Sequence, residues 1–188
     1  MGADAQAVAG RAEERPYYQV SHPPLNPISK ARLLDSSGDI VGAIRGYEEA
    51  LRQGQMTNGD IINLAFLYGL TWDFGFASAN NVPNDVVRST ADGYSDFIRS
   101  VSDQFGSWGD LQFVQVYFPW AFLGLGEDTE IEAQMKSLLQ TGQSLLPVLY
   151  LWSSERPAEH ASERGALLAS VEGESTSKAD FVRSVLRA

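Results

Sequence analysis

Residues 38–54 read GDIVGAIRGYEEALRQG, and residues 59–68 read GDIINLAFLY. In the first stretch Ile40, Ala43, Ile44, Tyr47, Ala50 and Leu51 recur at intervals of three and four, which places them on one face of an α-helix. Asp39 stands where an N-cap carboxylate belongs, and Gly54 where a helix stops. In the second stretch Ile61, Leu64, Ala65 and Tyr68 repeat the spacing, behind Asn58 or Asp60 as the start. Neither stretch alternates with a period of two, so both are helices rather than strands.

The helical reading extends in both directions. Upstream, Asn26 caps and Pro27 opens a helix carrying Ile28, Ala31, Leu33 and Leu34, which ends at Ser36-Ser37-Gly38. Downstream, residues 69–83 hold Trp72, Phe74 and Phe76 and then read as a loop. A helix follows from about Asn84 to Phe105, with Val87, Ala91, Tyr94, Ile98, Val101 and Phe105 as its stripe. The break Gly106–Gly109 leads to an aromatic helix capped by Asp110 and reaching about Leu125. Thr129-Glu130-Ile131-Glu132 has the form of a capping box, which predicts a helix to about Gln140. An apolar segment at Ser144–Trp152 and helices over Ala158–Val171 and Lys178–Leu186 complete the chain. The expected fold is all-α, a single domain of antiparallel helical hairpins over residues 21–188, irregular beyond residue 84. Residues 1–20, rich in Ala, Gly and charge, are expected to be a flexible tail.

Ala31 and Ala65 lie 34 positions apart, as do Leu34 and Tyr68, with Gly38-Asp39, Ala43, Tyr47 and Ala50 between them. Small residues at Ala31, Ala43 and Ala65 let helix axes approach, and Leu34, Tyr47 and Tyr68 fill the gaps beside them. This pattern resembles the tetratricopeptide repeat, a 34-residue helix–turn–helix unit, over residues 26–77. Pro27 and Lys30 stand where the family prefers Trp and Leu, and Gln55 replaces its closing proline. In the next unit Asn81 and Asn84 replace the counterparts of Tyr47 and Ala50, leaving one and a half units. The resemblance implies a right-handed helical array that works as a protein-interaction scaffold: an adaptor, a chaperone or an immunity-type protein.

Composition narrows the function classes. Acidic groups outnumber basic ones 24 to 14, a formal charge of -10. Such a surface repels phosphate backbones and attracts basic proteins or peptides, so a protein or peptide is the expected partner and nucleic acid is not. With no cysteine, disulfides, thiol nucleophiles and thiolate zinc sites are excluded. The N-terminus lacks the basic-then-apolar pattern of a signal peptide, so a cytoplasmic location is expected. The longest uncharged apolar stretch, Leu111–Gly126, is too short to span a membrane, and its surface is a candidate for self-association.

No phosphate-binding loop, dinucleotide fingerprint or nucleophile elbow is present, and no catalytic residue or cofactor is expected. Glu159, His160 and Glu163 share a helix face but match no metal-ligand spacing, and they read as a solvated surface. Glu127, Asp128 and Glu130 sit at a helix start, where the dipole favours anions; they are also a candidate patch for a basic partner. The aromatics Trp72, Phe74, Phe76, Phe105, Trp108, Phe113, Tyr117, Phe118, Trp120 and Phe122 fall within about fifty residues and read chiefly as core. Trp72, Asp73 and Trp108 lie in expected loops and are the candidates for partner contact. The alternative reading is a small-molecule or enzymatic site in that cluster, with Asp73, Asp110 or Glu127 supplying general acid–base chemistry.

Overall fold

The computed structural model describes residues 25–155 and 158–187, the side chains of Ser154, Glu155 and Glu159 aside. The expected tail at residues 1–20, the lead-in with His22, and the Glu159 side chain lie outside the described residues. Among those described, every regular element is helical: α1 (Pro27–Ser36), α2 (Ile40–Arg52), α3 (Asn58–Leu70), α4 (Phe74–Ala79), α5 (Asn84–Phe105), α6 (Gly109–Leu123), α7 (Asp128–Gln140), α8 (Val148–Glu155), α9 (Ala161–Ser170) and α10 (Ser177–Arg187). A single 3₁₀ turn, Ala158–His160, precedes α9.

The caps explain where the first helices begin. The Asn26 side chain accepts from the Ser29 amide at 2.8 Å, with Pro27 at the first helical position. Asp39 accepts from the Gly42 amide at 2.9 Å. For α3 the cap is Thr57, one residue before the expected start. Its hydroxyl accepts from the Asp60 amide at 3.3 Å, and the Asp60 carboxylate accepts from the Thr57 amide at 3.0 Å, a reciprocal box. The box expected at Thr129–Glu132 does not form. Instead α7 starts at Asp128, after Glu127, with no side-chain cap. Likewise α6 starts behind Trp108, and Asp110 sits inside its first turn.

Small residues bring α1 and α2 together. Ala31 and Ala43 are fully buried, and a Cβ built on Gly46 would lie 2.9 Å from that of Ala31. The axes therefore approach as closely as the backbones allow.

Helix α3 is the centre of the fold. Expected to bury one stripe, it buries every residue from Asp60 to Leu70, because α2, α5, α6 and α10 surround it. After Asp60 the helix carries no charge, so no face of it needs water. Gly69 lies so close to the Phe118 ring that it has no room for a Cβ. Phe66 meets Phe118 edge-on at 5.0 Å and Phe181 at 6.0 Å, while Phe113 stacks on Tyr117 at 4.8 Å. Of the rings expected as core, Phe113, Tyr117 and Phe118 pack in this way, whereas Phe74 and Phe105 are exposed; each such ring pair adds about 0.5–1.5 kcal/mol beyond its burial.

Several boundaries differ from the sequence reading. Residues 74–79, in the irregular stretch ahead of the loop expected at Ala79–Pro83, form α4, with Asp73 as its cap. In α5 the buried set is Thr90, Tyr94, Phe97, Ile98 and Val101, and Phe105 at the end of the expected stripe is exposed. The apolar segment expected from Ser144 becomes helical only at Val148.

Helix α10 closes the fold by packing on α3, α8 and α9. Its N-terminus is held by Asp35, whose Oδ1 accepts from the Ser177 amide at 2.9 Å and hydroxyl at 2.7 Å. Near its C-terminus Arg164 donates from Nε and Nη2 to the Leu186 carbonyl, Nε at 2.7 Å, with its guanidinium 4.4 Å over the Trp152 ring. Residues near the two ends of the described chain are therefore tied directly to each other.

Candidate functional site

Two features stand apart from the apolar core: a buried polar cluster under α10 and an acidic, apolar patch at the turn between α6 and α7.

The buried cluster gathers Arg32, Asp35, Tyr47, Asp60, Asn63 and Ser177 from four helices. Arg32 clamps Asp60 with two bonds, Nε to Oδ1 at 2.8 Å and Nη2 to Oδ2 at 2.9 Å. Burial alone would raise the Asp60 carboxyl, but the donors on Arg32 and Thr57 outweigh it and hold the group below the ordinary carboxylate range. Asp35 behaves in the opposite way. Burial raises it, and the two donors on Ser177 recover only part of that cost. The Tyr47 hydroxyl faces Asp35 and Asn63, yet Asp35 Oδ2, Tyr47 Oη and Asn63 Oδ1 each lack a hydrogen-bond partner. Burial also raises the Tyr47 phenol, so it stays neutral. The cluster offers no general base to a ligand: Asp60 is committed to Arg32, and Asp35 is 4% exposed. Its physical work is to fasten α10 to α1.

Asp110 is committed elsewhere. It accepts from the Ser144 hydroxyl at 2.5 Å, and Ser144 Oγ accepts in turn from the Leu146 amide at 3.0 Å. This pair and Lys178 line a cavity of about 320 Å³. Ser144 thus donates to Asp110 on α6 while accepting from the loop before α8, which fits a structural latch.

The α6–α7 turn is different in kind. Leu123 and Leu125 are 46% and 58% exposed, and Glu127, Asp128 and Glu130 beside them are exposed too. Asp128 accepts from the Trp120 indole at 2.8 Å, and among the described residues none of the three carboxylates is in an ion pair. Between Arg99 and Lys136 the chain carries Asp103, Asp110, Glu127, Asp128, Glu130 and Glu132 and no basic residue. This patch is uncompensated negative charge set around exposed aliphatic surface.

No family model, no curated protein and no solved structure matches this chain.

The structure separates the residues singled out from sequence into two groups. Glu127, Asp128 and Glu130 are brought together at the α6–α7 turn. Trp72 and Trp108, expected in exposed loops, are half-buried, and Trp72 packs edge-on against Tyr94 at 4.9 Å. Asp73 accepts from the Phe76 amide at 2.7 Å as the cap of α4. The fully exposed aromatic of that region is Phe74, at 86%. Leu123 and Leu125 do not stand out in the sequence from the rest of the apolar run that they end. The signal that could have found them is the pair Gly124 and Gly126, both at positive φ, which lead the chain off the helix. Among the described residues no group of three His, Asp or Glu side chains is placed to hold a metal, and no helix is long and apolar enough to cross a membrane.

Proposed function

We propose that this chain is a non-catalytic protein-binding scaffold that holds a basic protein or peptide against the acidic surface around the α6–α7 turn. The observation that carries this reading is the exposure of Leu123 and Leu125 beside the exposed carboxylates of Glu127, Asp128 and Glu130. Exposed leucines supply apolar area to bury, and the carboxylates select a cationic partner and speed its approach. A tetratricopeptide-like first hairpin would serve as framework, in the manner of an adaptor, chaperone or immunity protein. The full burial of Ala31, Ala43 and Ala65 supports that framework role.

Charge reversal tests the reading. Glu127→Lys combined with Glu130→Lys is expected to weaken a partner captured from native lysate about tenfold. The wild-type affinity should fall with added salt. A partner whose affinity ignores both salt and the double reversal would remove the acidic surface from the function.

A further inference from the structure

We infer that the seam between α6 and α7 is a groove for an extended basic peptide segment, whose backbone is read by Gln112, Gln115 and Gln134. This rests on the protein-binding reading above and gives it a surface and a ligand chemistry.

Helix α7 runs back along α6, so that Asp128 lies beside Trp120 and residues 134–138 lie beside 112–116. Between them is a cavity of about 360 Å³ lined by Gln112, Gln115, Val116, Gln134, Ser137 and Leu138. No charged side chain lines it. Val116 and Leu138 are half-buried and form an apolar floor, while Gln115, Gln134 and Ser137 are exposed at its walls. Among the described residues the side chains of Gln115 and Gln134 make no hydrogen bond, and Gln112 uses only its amide nitrogen, donating to Ser107 at 3.1 Å. Each free amide offers both a donor and an acceptor, the complement of a peptide's own C=O and N–H.

Helical spacing carries the groove onward. Gln112, Val116, Pro119 and Leu123 form one stripe of α6, and Glu130, Gln134 and Ser137 one stripe of α7. The seam therefore runs from the glutamines to Leu123, flanked there by Glu127 and Glu130. From Gln112 to Leu123 an α-helix rises about 17 Å, which about five extended residues would span. A helical partner satisfies its own backbone and would leave the glutamines unused, whereas an extended chain brings unpaired amides. The carboxylates at the open end, with no basic residue between Arg99 and Lys136, place cationic side chains there.

The test is a titration of the full ¹⁵N-labelled chain with a blocked peptide of alternating lysine and leucine, and with a glutamate–leucine counterpart. The lysine peptide is expected to shift the side-chain amide signals of Gln112, Gln115 and Gln134 and the backbone signals of residues 123–130. Its glutamate counterpart should leave them unmoved. Gln115→Ala with Gln134→Ala removes two exposed side chains with no role in the fold, and should weaken binding about tenfold while the melting temperature holds. Shifts confined to another acidic face, such as Asp92 and Asp96 on α5, would overturn the seam and leave the basic-partner reading intact. Equal response to the glutamate peptide would overturn the charge argument, and no response at millimolar peptide would overturn both proposals.

Discussion

Replacing Asp35 with asparagine removes a buried charge while keeping the acceptor that Ser177 uses, so it isolates what ionisation of this group costs the fold. In the wild type, Asp35 Oδ2 is buried with no hydrogen-bond partner, close to Tyr47. Leaving such an oxygen unpaired costs about 1–3 kcal/mol. The asparagine Nδ2 would instead present a donor to the equally unpartnered Tyr47 Oη. Against this, the two bonds from Ser177 lose their charge assistance, roughly 1 kcal/mol together. The net expectation is a stabilisation of about 1 kcal/mol at neutral pH, or a rise of about 2–4 °C in melting temperature.

The pH dependence has a definite sign. The carboxyl is raised in the folded state, so ionisation costs stability above the folded pKa, and the cost vanishes as pH falls to the ordinary carboxylate range. The stability gap between Asp35→Asn and wild type should therefore be full at neutral pH and close in acid. Tyr47 and Asp180 face the group, and Arg32 and Asp60 lie beyond Tyr47, in both proteins, so their own titrations largely cancel in the difference. Urea unfolding of both proteins across the acid range measures it. A destabilised variant, or a gap that does not move with pH, would refute the claim that Asp35 is an uncompensated charge.

Arg32→Ala strands the Asp60 carboxylate, which is 2% exposed, but Arg32 itself is 52% exposed, so the expected loss is about 1–3 kcal/mol rather than the full cost of a buried pair. Because Asp60 is lowered in the fold, that loss should be full at neutral pH and shrink as pH falls through its folded pKa; a constant loss would show that the pair contributes through packing alone. Gly69→Ala should destabilise by about 1–3 kcal/mol despite the better helix propensity of alanine, since the added Cβ meets the fully buried Phe118 ring, and an unchanged urea midpoint would show that α3 and α6 can separate freely.

The helices from Asn26 to Leu70 were legible because cap residues, spacing and stop signals agree there. Asn26, Asp39 and Gly54 each sit where the backbone needs them. The boundaries that were missed have local competitors: Thr57 precedes two other capping residues, and Asp110 found Ser144, 34 positions away, instead of its own helix terminus. The acidic half of the candidate site could be read directly, since three carboxylates adjacent in sequence stay adjacent in space. Its apolar half could not. Leu123 and Leu125 end the same apolar run that holds the buried Phe118, and they face water where the chain leaves the helix at Gly124.

The sequence by itself determined that the chain is helical, acidic and without cysteine chemistry, because periodicity and composition are local or summed properties that need no partner. Only the tertiary structure decided that α3 is enclosed on every side, that Asp35 reaches Ser177, and that the glutamines of α6 and α7 face one another. Each of these depends on contacts between residues far apart in the chain, and no pattern within a single helix encodes which distant face will cover it.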